Sequence, residues 1–143
     1  MSFKVAFIGA GSIGFTRRFL SDLLSVPEFR EMGIEIAFTD ISEKNLEMVT
    51  QICQRDIDEN KLNIRIQSTT DRRRALENAK YVFNVVRVGG LDAFKLDIEI
   101  PLKYGVDQCV GDTLCAGGIM YGQRGIPVVL DFCRDIREVA RED

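Results

Sequence analysis

The sequence of 143 residues contains no histidine. Histidine is the commonest metal ligand and the usual acid or base near neutral pH, so the chain alone lacks the side chain that most often performs either role. It has four cysteines without C-x-x-C spacing, and we expect reduced thiols, several of them buried: Cys53, Cys109, Cys115 and Cys133. We therefore predict no metal ligand and no metal site within these residues.

Long apolar runs and broad basic patches are also missing. No stretch approaches the roughly 20 apolar residues that span a bilayer, and the N-terminus has no signal-peptide pattern. The net charge is −3, and the only basic run is Arg72-Arg73-Arg74, whereas a nucleic-acid surface needs a broader patch. We expect a cytoplasmic protein that binds neither a membrane nor a nucleic acid.

The chain does contain an alternation of strand and helix patterns. Apolar or alternating runs predict strands at 3–8, 34–39, 62–67 and 81–88. Helical spacing predicts a helix from about Phe15 to Val26, a second one capped by Ser42, a short one from Asp71 to Asn78, and a last one with Pro127 in its first turn. Such alternation predicts a parallel sheet with helices on both faces.

The stretch "KVAFIGAGSIGF", residues 4–15, places three glycines directly after the first strand. In a G-x-G-x-x-G turn the first glycine makes the tight turn, the second admits a pyrophosphate, and the third lets helix and strand pack closely. The phosphates lie on the free N–H groups at the start of the helix. The candidate cofactor contacts are Gly9, Ala10, Gly11, Ser12, Ile13 and Gly14. The alternative is a purely structural turn.

Asp40 ends the second predicted strand. A carboxylate there accepts hydrogen bonds from the adenosine ribose and repels a 2′-phosphate, which favours NAD over NADP. Its alternative is a solvated strand end or helix cap. Asn84 and Arg87, near the end of the fourth strand, would face the cofactor crevice, or be structural. The sequence thus predicts a Rossmann-like doubly wound parallel sheet, truncated after about four strands, as one NAD-binding domain over 1–143.

Five segments carry a family resemblance. They are "FIGAGS" (7–12), "VGG" (88–90), "IPLKYG" (100–105), "GDTLCAGGI" (111–119) and "RGIPVVLD" (124–131). In order and spacing they resemble glycoside hydrolase family 4, the NAD- and metal-dependent glycosidases. The "GDT" form is similar to the α-galactosidase and α-galacturonidase branch, whereas "RVG" at 87–89 is similar to the 6-phospho-glycosidase branch. Cys115 and Ala116 depart from the family's commoner Gly-Pro.

The resemblance implies hydrolysis by oxidation at C3 of the sugar, loss of the C2 proton, elimination at C1, addition of water and return of the hydride from NADH. It implies NAD and a divalent metal, manganese, as cofactors and a small-molecule glycoside as substrate. Asp112 and Arg124 would contact that substrate. Alternatively, Asp112 is a helix cap or turn residue, and Arg124 holds Asp112 or lies on the surface.

The family's metal ligands and proposed base follow the region matched here, so we assign no catalytic residue to this chain. We expect the cofactor-binding portion of a longer, homo-oligomeric enzyme, inactive alone. The 143-residue chain made alone should dimerise or aggregate through the unpaired edge of its fourth strand and through its last helix, which would expose Val129, Phe132 and Cys133 or their neighbours. Two other classes stay open. One is an NAD-dependent dehydrogenase or NAD-binding regulatory domain, and the other is a fragment without a binding function.

Overall fold

The computed structural model describes residues 2–108 and 113–140. The chain divides into two compact units, the first formed by Met1–Val86 with Asp135–Asp143 and the second by Arg87–Arg134. Across these described ranges no helix combines the length and the apolar character that a membrane crossing requires. A single NAD-binding domain over the whole chain stays a prediction.

The first unit contains a four-stranded parallel sheet. Its strands are β1 (Lys4–Ile8), β2 (Glu35–Thr39), β3 (Arg65–Thr69) and β4 (Ala79–Asn84), in the spatial order β3-β2-β1-β4. This order and the parallel pairing confirm the predicted Rossmann-like class.

The third and fourth strands differ from the sequence prediction by two residues or more at each end. The third strand begins at Arg65, because Lys61 has a φ of +52° and the N–H of Leu62 donates to the carbonyl of Ile57 over 3.1 Å. The fourth begins at Ala79, which pairs with Lys4, and ends at Asn84. Residues 61 and 62 therefore form a turn, although the alternating pattern from residue 62 to 67 predicted a strand that begins at 62.

Six helices accompany the strands in the described residues. They are α1 (Ile13–Ser25), α2 (Pro27–Met32), α3 (Glu43–Glu59), α4 (Arg72–Leu76), α5 (Gly90–Lys103) and α6 (Ala116–Val139). The predicted capping residues are confirmed, since Ser42 accepts a hydrogen bond from the N–H of Asn45 and Asp71 accepts one from the N–H of Arg74. The sequence reading missed α2 and α5.

The position predicted for Pro127 is wrong. Helix α6 begins at Ala116, so Pro127 lies in its interior, where the pyrrolidine ring removes one helical hydrogen bond. Gly117 and Gly118 lie in the first turn of this helix. Phe132, near its other end, is buried.

The sheet and two helices enclose the main core of the first unit. Phe7 is at its centre, with ring centroids 5.4 Å from Phe38 and 5.1 Å from Phe83. Helix α3 contributes the apolar stripe that its sequence predicted: Leu46, Val49, Cys53 and Ile57. Alternate strand residues face the opposite side of the sheet, where α4 contacts the strands and buries Ala75 and Leu76. The helices therefore cover both faces.

The three described cysteines are free and differ in exposure. Cys53 is buried, Cys115 is half-buried and Cys133 is exposed. Burial raises the pKa of the Cys53 thiol to about 11. One of these three thiols is buried, and Cys109 lies outside the described residues.

The basic run at 72–74 is engaged inside the first unit. The Arg72 guanidinium donates to the Asp135 carboxylate, with Nε 2.7 Å from Oδ2. Arg73 donates to the same carboxylate over 2.7 Å and to Glu138 over 2.8 Å. Burial raises the pKa of Asp135, but the hydrogen bonds from Arg72 and Arg73 outweigh it and leave that pKa below its usual value. The run therefore joins α4 to the end of α6.

Candidate functional site

The turn between β1 and α1 lies at the carboxyl end of the sheet. The backbone N–H groups of Gly9 and Ala10 both donate to the carbonyl of Thr39, over 2.9 and 3.0 Å. Gly9 has a φ of +87°, and a methyl group on it would lie 2.8 Å from Cγ1 of Val86. Both the backbone angle and the space thus require glycine there.

Asp40 and Gly11 are in direct contact. One carboxylate oxygen of Asp40 accepts the N–H of Gly11 over 2.8 Å, and the other accepts the N–H of Ser42 over 2.8 Å. A methyl group on Gly11 would lie 2.8 Å from the carboxyl carbon of Asp40. The turn and the strand-end acid predicted separately from sequence therefore form one structure. The capping alternative for Asp40 is also realised, through Ser42.

The start of α1 is open to an anion. Ser12 is its N-cap and makes no side-chain capping bond, and the first turn contains no acidic residue. A helix start with unpaired N–H groups favours negative charge. Ile13 is exposed, and a methyl group on Gly14 would meet nothing within 4 Å. Close packing of helix on strand is therefore not the reason for the third glycine, which corrects that part of the sequence interpretation.

Thr16 supports the turn and was missed from sequence. It is fully buried, and its hydroxyl donates to the carbonyl of Ala10 over 2.8 Å. A threonine one turn into a helix that follows a glycine turn is a local signal that could have identified it. Its bond fixes the turn against the helix that follows.

Asn84 is at the same edge of the sheet. It is the last residue of β4 and pairs in register with Ile8, the last residue of β1. Its side-chain oxygen accepts the N–H of Val86 over 3.3 Å, and the residue is exposed. The predicted position at the carboxyl end of the strand is confirmed, and its contact with a cofactor stays a prediction.

The second unit contains Arg87 and Arg124. The guanidinium carbon of Arg87 lies 4.7 Å from the ring centroid of Phe94 and 5.3 Å from that of Tyr121. Cation–π attraction therefore helps to orient this side chain. Its proposed cofactor contact stays a prediction.

Arg124 forms a two-pronged ion pair with Asp97. Its Nη1 and Nη2 atoms lie 2.8 and 2.5 Å from the two carboxylate oxygens, and Asp97 is 3% exposed. The hydrogen bonds that Arg124 donates to the Asp97 carboxylate raise the pKa of Arg124. Sequence reasoning had offered Asp112 as the partner, but Asp112 lies outside the described residues. Its substrate role stays a prediction.

Two open grooves lie away from this turn, at the amino end of the strands. One has a volume of about 420 Å³ and is lined in part by Ser2, Gly33 and Gln54. The other, of about 550 Å³, is lined in part by Lys4 and Glu77. Ligands of open parallel sheets bind at the carboxyl ends of strands, so we base the candidate site on the glycine turn.

The described residues offer no metal centre. Among them, no group of three or more Cys, Asp or Glu side chains lies close enough to hold an ion.

A glycine turn at the start of a helix, beside a strand-end carboxylate on a parallel sheet, defines an α/β protein of the Rossmann type. The chain belongs to family 4 of the glycosyl hydrolases, since the family model described as "Family 4 glycosyl hydrolase" matches residues 4–142.

Individual relatives agree with this assignment. The chain is 64% identical over 139 residues to an alpha-galactosidase of Rhizobium meliloti strain 1021, covering 97% of this chain and 28% of the relative. It is 38% identical to an alpha-galactosidase of Bacillus subtilis strain 168, covering 95% and 31%.

A 6-phospho-beta glucosidase of Thermotoga maritima, solved with manganese, NAD+ and glucose-6-phosphate, superposes with a TM-score of 0.83 at 29% identity, covering 96% of this chain and 32% of that one. The chain thus spans about a third of the length of these proteins.

Proposed function

We propose that this chain binds NAD and is the cofactor-binding portion of an α-galactosidase-like, NAD- and divalent-metal-dependent glycosidase. The observation that carries the proposal is the contact of Asp40 with Gly11 at the start of α1. The 64% identity to an alpha-galactosidase supports the sugar class. An α-galacturonidase or a 6-phospho-glycosidase of the same family is the alternative.

The residues present fit NAD. The open start of α1 would receive the pyrophosphate, and the exposed Gly14 leaves room for it. Each carboxylate oxygen of Asp40 has a second lone pair, so it can accept ribose hydroxyls without losing Gly11 or Ser42. Ile41, fully exposed directly after Asp40, offers an apolar surface to the adenine.

Bound NAD would supply the acceptor for a hydride from the sugar, and would take part without net consumption. The chain's own contribution is to bind and orient it. Asp112 would contact the sugar. Each Nη atom of Arg124 carries a second N–H, so this residue keeps donors for a sugar hydroxyl while Asp97 fixes its direction.

The test measures product and NADH together. The full-length protein that carries this chain is supplied with NAD, Mn²⁺ and nitrophenyl glycosides of galactose, galacturonic acid and glucose-6-phosphate. We expect nitrophenol release from the α-galactoside without accumulation of NADH. NADH formed in proportion to product would instead indicate a dehydrogenase. Release that does not require NAD would overturn the proposal.

A further inference from the structure

The side chain of Gln108 forms hydrogen bonds with two backbone groups that lack helical partners. Its side-chain Nε2 donates to the carbonyl of Asp97 over 3.0 Å, and its Oε1 accepts the N–H of Gly117 over 3.2 Å. In a helix the carbonyl of Asp97 would accept the N–H of residue 101, but Pro101 has none. Gly117 lies in the first turn of α6, where N–H groups lack helical partners. The side-chain amide of Gln108 therefore pairs with the carbonyl of Asp97, which Pro101 leaves without a donor, and with the free N–H of Gly117.

Asp97 connects α5 to α6 a second time through its side chain. The carboxylate is buried and paired with both Nη atoms of Arg124. The backbones approach closely here, since a methyl group on Gly117 would lie 2.6 Å from the carbonyl oxygen of Asp97 and would clash with Gln108. Asp97 is therefore bound to α6 by its backbone through Gln108 and by its carboxylate through Arg124.

We propose that Gln108 and Asp97 are positioning residues for the sugar contact of Arg124, because they fix Arg124 and the start of α6 against α5. This rests on the proposed function, which assigns a sugar contact to Arg124. Neither positioning residue touches the substrate in this account. Loss of either should lower turnover more than it lowers the affinity for NAD, because misplaced groups at a reacting centre cost rate steeply.

The first test uses the 143-residue chain and needs no activity. Gln108→Ala should speed hydrogen exchange of the Gly117 amide by about 5- to 10-fold, as expected when one hydrogen bond is lost. Gln123→Ala, at an exposed glutamine of the same unit, is the matched control and should change nothing. Unchanged exchange at Gly117 in Gln108→Ala would overturn the role of Gln108.

Pro101→Ala supplies the N–H that Asp97 lacks, and so provides an internal rescue. The loss of stability caused by Gln108→Ala should be smaller in the Pro101→Ala background, since the carbonyl of Asp97 then has a helical partner. Purely additive effects of the two substitutions would contradict this coupling.

The second test uses the full-length protein. Gln108→Ala should lower kcat by about 10-fold or more while the Kd for NAD changes less than about 2-fold, and Gln123→Ala should leave both unchanged. If the wild-type enzyme is active and Gln108→Ala has the same kcat, the positioning role is overturned. Absence of turnover in the wild type would instead overturn the proposed function, while exchange at Gly117 still decides the hydrogen bond.

Discussion

The carboxylate of Asp40 and the backbone N–H of Gly11 lie 2.8 Å apart, joined by a hydrogen bond. The side chain that would select the ribose and the turn that would hold the phosphates are therefore one structure. A substitution at either residue should therefore perturb the position of the other.

Gly11→Val should weaken NAD binding and destabilise the chain by roughly 1–3 kcal/mol. The added carbon would lie 2.8 Å from the Asp40 carboxyl and 3.0 Å from Cβ of Asn45, so Asp40 would have to move. Gly14→Ala is the control, and should be neutral or stabilise by about 0.5–1 kcal/mol, because its new methyl group enters open space in a helix. Urea unfolding measures the stability of both variants, and calorimetry measures the affinity of Gly11→Val for NAD. Destabilisation by Gly14→Ala would restore the packing role of the third glycine.

Asp135→Asn should destabilise the first unit at pH 7 by about 1–3 kcal/mol, since it weakens the pairing with Arg72 and Arg73. The pKa of Asp135 is lowered in the folded state. Its stabilisation is therefore present above the unfolded pKa of about 3.9 and is lost as the pH falls through the folded value.

The difference in unfolding free energy between wild type and Asp135→Asn should thus shrink below about pH 4. Glu59→Gln, which removes one charge of an exposed ion pair with Arg55, should cost less than about 1 kcal/mol at any pH. A difference for Asp135→Asn that does not depend on pH would contradict the assigned ion pair.

The 143-residue chain alone should associate with increasing concentration. In the described sheet β4 has a neighbour on one side only, and Tyr81 on it is 51% exposed. Separately, α6 exposes Ile126, Leu130 and Cys133. Phe132, which sequence reasoning expected to be exposed, is buried.

Light scattering across concentrations checks this association. Tyr81→Lys should reduce it, since charge on an edge strand opposes strand pairing. A monomer at every concentration would show that these surfaces do not recruit a second copy.

Asp112→Ala in the full-length protein should lower kcat strongly and leave the Kd for NAD nearly unchanged. The reason is the proposed contact with the sugar, which the cofactor does not share. Steady-state kinetics and calorimetry on the same preparation provide the comparison. If NAD affinity falls as much as turnover, Asp112 belongs to the cofactor pocket or to the fold.

Local patterns predicted what local interactions determine. The stripe of α3 and its cap at Ser42 lie within one helix, and the glycine turn reaches Asp40 through adjacent strands, so spacing was enough. Helix α5, which contains Pro101 in its interior, was not predicted. Pro127 was predicted in the first turn of the last helix, where proline is common, but it lies inside α6.

The partners of Arg124 and Gln108 depend on tertiary packing that no local pattern encodes. Arg124 pairs with Asp97, 27 residues away, whereas sequence reasoning looked to the nearer Asp112. A signal for Gln108 did exist. A proline in a helix leaves a carbonyl four residues earlier without a donor, and that carbonyl needs a partner when it is buried.

Calorimetry with NAD and NADP on the 143-residue chain tests the central claim most directly. The wild type should bind NAD at least about 10-fold more tightly than NADP, because a 2′-phosphate would meet the carboxylate of Asp40. Asp40→Asn keeps the shape of the side chain and removes its charge, so it should lower the ratio of the NAD affinity to the NADP affinity. Asp58→Ala, at an exposed acid on α3, should leave it unchanged. Equal affinity of the wild type for the two dinucleotides, or an unaltered ratio in Asp40→Asn, would contradict the account.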